Sequence, residues 1–342
     1  MKTIEVQNLN DSGVGSLREA LRDTEPRIIL FNVGGIIKLE SRLNIVDNDC
    51  VVLGQTALDS GISIYGHSLN IQANNVRVEY LRFRGKKELG SSSDCITINN
   101  SNNVVIKNCS MCWSNDELIS VTDSNDVSIT RCIIAEPLNY ENHGYGSLFS
   151  NRTETKSKYE IKENLYSTCL SRTPRVSGNV FIDFRKNIIY NCGIPGYSAE
   201  DPLVELNLIN NYYKHGKLTQ DTAHIWRFTS PNGGTVYLNG NSIEGHGYSD
   251  EDNFLLIRQP ENGIVSEVPL GCAEDDSNIW VGNNWALKDK VGHYELLEDK
   301  LDTIGCNRPK YDETDLRIIC NFKKNIGDII DDNNPLDELY NV

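Results

Sequence analysis

Six stretches of this chain repeat one pattern: an apolar residue, two spacers, an Asn or Cys, one spacer, and another apolar residue. They centre on Cys109, Cys132, Asn164, Asn187, Asn211 and Asn241. The separations between these anchors are 23, 32, 23, 24 and 30 residues. A period near 23 with occasional insertions is the mark of a solenoid, in which each unit is too small to bury its own apolar face. The units carry short alternating runs such as Val104-Val105-Ile106 and Val127-Ser128-Ile129, which favour strands over helices. Polar corners separate them, as in Asn99-Asn100-Ser101-Asn102-Asn103 and Ser124-Asn125-Asp126. Asn and Gly tolerate the left-handed conformation that tight corners need. The expected fold is therefore all-β: a right-handed parallel β-helix, with the anchor Asn or Cys pointing inward at a corner. Stacked Asn side chains would satisfy buried backbone groups from coil to coil. A β-sandwich with coincidental spacing is the alternative.

Solenoids grow without splitting, so the 342 residues read as one domain. Residues 1–50 are expected to form an N-terminal cap, with Ser16 and Glu19 spaced as a capping box ahead of a short helix. Residues 51–245 carry the coils. Residues 246–342 are expected to pack along them, with a helix over Asp315–Phe322 and a loop or tail at Asp331–Pro335.

The ten cysteines do not read as a disulfide framework. Several fall at core-like repeat positions, and Cys109-x-x-Cys112 is a lone pair without a second pair at zinc spacing. Buried free thiols are expected. There is no apolar run of membrane-spanning length and no Lys/Arg-led export signal at the N-terminus. Synthesis in a reducing cytosol, without export through a general pathway, follows from these readings. A net charge of −15 argues against nucleic acid as a partner. It also means that an acidic polymer would be repelled unless a local cationic site or a bound metal attracted it.

The repeat also works as a ruler. Counting back 15 residues from the anchors at 109, 132 and 187 gives Asp94, Glu117 (next to Asp116) and Arg172. Coils rise by about 4.8 Å, so Asp94 and Glu117 should be neighbours, with Arg172 two coils further on, about 10 Å away. His143 and Tyr145 lie near the start of the intervening coil's longer insertion. Carboxylates on one side of a groove and a guanidinium on the other suit β-elimination on a uronate polymer. That reaction removes the proton α to a carboxylate and expels the glycosidic oxygen. It needs a base and a cation to stabilise the developing charge. Asp and Glu oxygens on adjacent coils suit Ca²⁺, a hard cation that takes several oxygen ligands. Each residue also has a structural reading: solvated turn carboxylates for Asp94, Asp116 and Glu117, packing for His143, and an Arg172/Arg175 pair bonding coil carbonyls. Trp113, Tyr140, Tyr145 and Trp226 are aromatic candidates for sugar stacking, a role more often taken by core packing.

At these residues the chain resembles the pectate lyase family, parallel β-helix enzymes of the first polysaccharide lyase class. The segments that carry the resemblance run nearly end to end: Val6–Arg18, Gly54–Ala57, Tyr80–Arg84, Cys109–Glu117, His143–Gly146, Ser171–Arg175, and Arg308–Asp312 through Gly327–Asp331. The resemblance implies Ca²⁺ ligation by Asp94 with Asp116 or Glu117, Arg172 as the base, and Arg175 binding a substrate carboxylate. The family-like segment favours Asp116 as ligand, whereas the coil count favours Glu117. The chain departs from the family pattern in two places. Ser91-Ser92-Ser93-Asp94 stands where relatives often carry two acidic residues, and Lys107-Asn108 where many have Asp-His. Fewer carboxylates imply weaker or substrate-dependent Ca²⁺ binding. The expected partner is an acidic polysaccharide. Two other readings remain: a glycoside hydrolase on the same scaffold, or a non-catalytic glycan-binding or virion structural protein, with a phage origin and other virion proteins as partners.

Overall fold

The computed structural model describes residues 1–90, 92–199, 204–229, 234–246, 254–258, 265–267 and 300–330. Asp331–Pro335, read above as a loop or tail, lies outside them. The described chain winds through three parallel sheets of eleven, nine and nine strands, visiting them in the same order on every turn. In the first sheet, Val104 pairs with Val127, then with Tyr159, Ile182, Leu206 and Val236 on successive coils. These steps reproduce the anchor separations residue for residue, because a one-dimensional stack turns sequence spacing directly into register.

Ile29, Val52, Val78, Ile106, Ile129, Ile161, Phe184, Leu208 and Leu238 form one inward column of the first sheet. All are buried, and each contributes roughly 1.5–3 kcal/mol by leaving water. At the corner into the second sheet, Asn164, Asn187, Asn211 and Asn241 form the expected ladder. Each of the first three donates its Nδ2 to the next Asn Oδ1 at 3.0, 3.1 and 3.0 Å, and each also bonds a carbonyl of the coil before it. Cys109 and Cys132 continue the column as buried thiols. The left-handed residue of this corner is not the anchor but the one before it: Asn108, Arg131, Glu163, Lys186, Asn210 and Gly240 all have φ between +50° and +64°. Three of these are neither Asn nor Gly, so stacking imposes the conformation at those corners. All nine cysteines among the described residues are free, and eight are buried.

Residues 1–50 do more than cap. Lys2–Val6, Arg27–Phe31, Gly35–Lys38 and Leu43–Ile45 are strands, so all three sheets begin there. The cap itself is a five-residue helix α1 (Leu17–Leu21), with the Ser16 Oγ accepting from the Glu19 N–H. At the other end, Ile257–Arg258 and Val265–Glu267 extend two sheets past residue 245. Helix α2 (Glu313–Lys324) lies on the second sheet, its Ile318, Ile319 and Phe322 buried against Ile133, Leu165, Ile188 and Tyr190. Two buried arginines, Arg82 and Arg84, fasten it, with the Arg82 Nε 3.6 and 3.7 Å from Asp312 and Asp315. Arg84 donates to Asp312 and Asp315 at 2.9 and 2.8 Å, and Asp315 also accepts from the Ser110 hydroxyl at 2.8 Å. No helix among the described residues is long and apolar enough to cross a membrane.

Candidate active site

The third sheet positions the site, at the edge where its strands begin. Ile96 pairs with Ile119, which sets Asp94 beside Glu117. Glu117 pairs in turn with Tyr145, and Tyr145 bridges Ser171, next to Arg172. The column is therefore Asp94, Glu117, Tyr145, Arg172. Counting back 15 residues from the anchor at 164 lands on Phe149, a core residue, because this coil's insertion displaces the equivalent position to Tyr145. Gly146 is required here. A Cβ on it would lie 2.6 Å from the Arg172 carbonyl oxygen, so only glycine lets these backbones approach.

Asp94, Asp116 and Glu117 each offer an oxygen within 4.8 Å of the others. Both acids of the Asp116/Glu117 pair thus belong to one cluster. Asp94 accepts from the Glu117 N–H at 3.2 Å and from the Thr97 hydroxyl at 2.9 Å. Burial, with the nearby charge of Asp116, pushes the Asp94 carboxyl up to about 7, while bonds from Thr97 and Ser120 pull the other way. Burial also raises Asp116, opposed by Arg172 and His143.

Arg172 is not 10 Å from the carboxylates. Its guanidinium lies over the Tyr145 ring, 3.7 Å from the centroid, and pairs with Glu117; its Nη1 stands 3.8 Å from Asp116. The ruler measured backbone, and an arginine side chain is long enough to span the intervening coil. Burial pulls Arg172 below its ordinary value; Tyr197 and Asp116 oppose this, and Arg175 reinforces it. The His143 ring packs 4.8 Å from that of Tyr145, and its Nδ1 lies 3.2 Å from the Tyr140 carbonyl. Arg175 follows on the next strand, facing outward. Trp113 and Trp226 are buried, so neither is a stacking platform. Sequence reasoning missed Tyr197, which pairs with Arg175 across strands and acts electrostatically on Arg172. The count would not have found it: Arg175 stands 12 residues before the anchor at 187, and 12 before the anchor at 211 is Ala199, because the stretch from the third sheet to the anchor is two residues longer in this coil.

The residues fit a hard dication. Three crowded carboxylates, one pushed towards neutrality, provide oxygen ligands whose mutual repulsion such an ion would relieve.

Comparison with known proteins bears on this site. No protein-family model matches the chain. A protein named "Probable pectate lyase C" from Aspergillus terreus is 36% identical over 279 residues, 80% of this chain and 62% of that protein. One of the same name from Neosartorya fischeri is 35% identical over 273 residues, 78% of this chain and 60% of that protein. By sequence the chain is a relative of the pectate lyases. It spans about 60% of the length of these relatives. Among solved structures, pectate lyase Bsp165PelA from Bacillus sp. N165 in complex with trigalacturonate superposes with a TM-score of 0.55 at 13% identity, covering 71% of this chain and 82% of that one. A pectate lyase from Paenibacillus sp. 0602 gives 0.53 at 12% identity, covering 78% and 84%. At such identities the likeness is one of fold, the right-handed parallel β-helix.

Proposed function

We propose that this pectate lyase relative is itself a polysaccharide lyase, cleaving a pectate-like, uronate-containing polymer by Ca²⁺-assisted β-elimination. The observation that supports this reading best is the meeting of Asp94, Asp116 and Glu117 with Arg172 on one edge of the third sheet. Asp94, Asp116 and Glu117 would hold the ion, which when bound supplies positive charge to the substrate carboxylate and acidifies the adjacent C–H.

The chain's own residues then divide the work. Arg172 takes the proton α to the carboxylate. The C–H electron pair becomes a carbon–carbon double bond, the bond to the glycosidic oxygen breaks, and that oxygen acquires a proton. A guanidinium is a base only when its proton is destabilised. Burial and the adjacent Arg175 both act in that direction. In this structure Arg172 is paired with Glu117, so it must exchange that partner for substrate before acting. Arg175 would hold a substrate carboxylate, and Tyr145 with His143 would form the wall against which a sugar ring and the guanidinium are placed.

A hydrolase reading is less well served. Hydrolysis needs two carboxyl groups straddling the bond, about 5–9.5 Å apart, and gives no role to the guanidinium of Arg172 beside Asp116 and Glu117. The test is ultraviolet absorbance on polygalacturonate, because the eliminated product carries a double bond conjugated to its carboxylate. Rising absorbance that a chelator abolishes is the expected result. New reducing ends without absorbance would overturn it in favour of hydrolysis.

A further inference from the structure

At the corner into the second sheet, the left-handed residues of three successive coils are Arg131, Glu163 and Lys186. Residues 300–306 lie across them. The Gly305 N–H donates to the Arg131 carbonyl at 2.7 Å, and the Asn108 Nδ2 donates to the Thr303 and Gly305 carbonyls at 2.7 and 3.3 Å. Between the two layers is a cavity of ≈ 60 Å³, lined by Arg131, Glu163, Lys186, Ile188, Lys300 and Ile304 among others. It lies on a different face from the carboxylates of the candidate active site, which sit on the third sheet.

The ionisable groups of this cavity are mostly cations. Arg131 donates through Nε to Glu163 at 2.6 Å, so the carboxylate that lines the cavity is already engaged. Lys186 lines the same space while only 7% exposed to solvent. Burial pulls its amine down to about 6 from 10.5; Lys162, Lys300 and Arg185 act in the same direction, and Glu163 opposes them. Burial also pulls Lys300 down, opposed by Glu163 and reinforced by Arg131. A lysine buried among like charges gives up its proton easily, and the free amine is a nucleophile.

We propose that Lys186 is a carbamylation site, at which the side-chain amine adds carbon dioxide to form a carbamate in the cavity beside Arg131 and Lys300. The nitrogen lone pair forms the new C–N bond, one C=O electron pair moves onto oxygen, and the nitrogen releases a proton to solvent. The neutral amine and carbon dioxide thus become a carbamate anion and one proton, with no change of oxidation state. The like charges that disfavour an ammonium at this place favour the anion instead. Carbon dioxide suits the access as well. It is uncharged, so it passes the apolar Ile188 and Ile304 without the desolvation cost of an ion. The space is several times the roughly 10–15 Å³ that one water needs, which leaves room for the added group. The carbamate ties the coils to residues 300–306, which lead into α2, and so links the fastening of that segment to dissolved carbon dioxide. None of this depends on the lyase reading.

The experiment incubates the full chain with isotopically labelled bicarbonate, which supplies carbon dioxide, traps any carbamate as its ethyl ester with triethyloxonium ion, and maps the adduct by mass spectrometry. An ordinary lysine is less than about 1% free amine at about pH 8. Labelling of Lys186 should therefore exceed that of the exposed Lys158 by at least about tenfold. No label on Lys186, or no more than on Lys158, overturns the proposal. Thermal unfolding tests the consequence. Bicarbonate should raise the Tm of wild type above its value in chloride at equal pH and ionic strength, and Lys186→Asn should lose that shift. Asn accepts the left-handed backbone at this position, where φ is +56°, so the variant should fold. An equal shift in both proteins would place the action of bicarbonate elsewhere and overturn the link to residues 300–306. The labelling of wild type decides the carbamate itself whether or not the variant folds.

Discussion

The guanidinium of Arg172 lies flat enough on Tyr145 for its carbon to sit 3.7 Å from the ring centroid. The phenol ring is therefore the surface that fixes the arginine beside Asp116 and Glu117. A cation–π contact of this kind contributes roughly 0.5–2 kcal/mol. Tyr145→Ala should lower kcat about two- to thirtyfold through misplacement of Arg172. Tyr145→Phe keeps the ring and should retain most of the rate. If the two variants lose the same activity, the hydroxyl matters and the stacking does not.

Arg172→Ala removes the proposed base and should reduce kcat by about 10²–10⁴. It also removes a positive charge that competes for Asp116 and Glu117, so Ca²⁺ should bind at least as tightly as in wild type. Calorimetric titration of the variant with Ca²⁺ separates the two effects. A wild-type rate would end the base assignment, whatever the calorimeter reads.

The Asp94 carboxyl, raised to about 7 from 3.8, gives the site a pH dependence of definite sign. The folded protein holds this proton between pH 4 and 7, where the unfolded chain has released it. The ion-free protein should therefore lose stability as pH rises through that window, and the term should level off above 7. Cation binding needs the carboxylate. Ca²⁺ affinity should climb with pH up to about 7, by as much as tenfold per unit, then flatten. Titration in buffers of different ionisation enthalpy should show proton release at pH 6 and little at pH 8.5. Asp94→Asn should abolish that release; its persistence would assign the proton to another group.

Much of the fold was legible because stacking makes sequence separation equal to register, as the steps from Val104 to Val236 illustrate. The earliest coils escaped notice for a physical reason. Leu81 holds the place that Cys109 holds one coil later, after a left-handed Tyr80. Hydrocarbon fills the corner as well as a ladder amide does, but leaves no polar signature. Asp94 and Glu117 were found by counting because both sit on backbone positions next to regular strands. The reach of Arg172 and the presence of Tyr145 were not. One depends on side-chain length, and the other on where the insertion in its coil is absorbed.

The clasp between α2 and the second sheet is a buried ionic group, and such groups are asymmetric in their response to mutation. Arg84→Met leaves Asp315 fully buried with its nearest guanidinium gone, which should cost about 3–5 kcal/mol. Pairing it with Asp315→Leu removes the stranded carboxylate and should recover much of that loss. Urea midpoints of the two variants and the double variant close the cycle. A double variant no more stable than Arg84→Met would mean that Arg82 and Ser110, the other partners of Asp315, carry the clasp.

The Asn ladder admits a sharper test, because the chain already places a thiol at the same corner in two coils, at Cys109 and Cys132. Asn187 accepts from the N–H of Asn164 at 3.0 Å and donates to the Ile161 carbonyl and the Asn211 Oδ1 at 2.8 and 3.1 Å. Asn187→Ala strands two buried polar groups, the Asn164 N–H and the Ile161 carbonyl, while the Asn211 Oδ1 keeps the Asn187 backbone N–H at 3.0 Å. At about 1–3 kcal/mol for each unsatisfied group, the loss should be at least about 2 kcal/mol. Asn187→Cys places there the thiol found at positions 109 and 132, where each Sγ bonds a carbonyl of the preceding coil at 3.7 Å. It should keep a weak bond to Ile161 and fill more of the volume, and so unfold at a higher temperature than Asn187→Ala. Calorimetric Tm values in that order would show that the corner requires a donor to the coil below. Equal values would show that filling the space matters little, and that the amide chain running from Asn164 to Asn241 is what the corner requires.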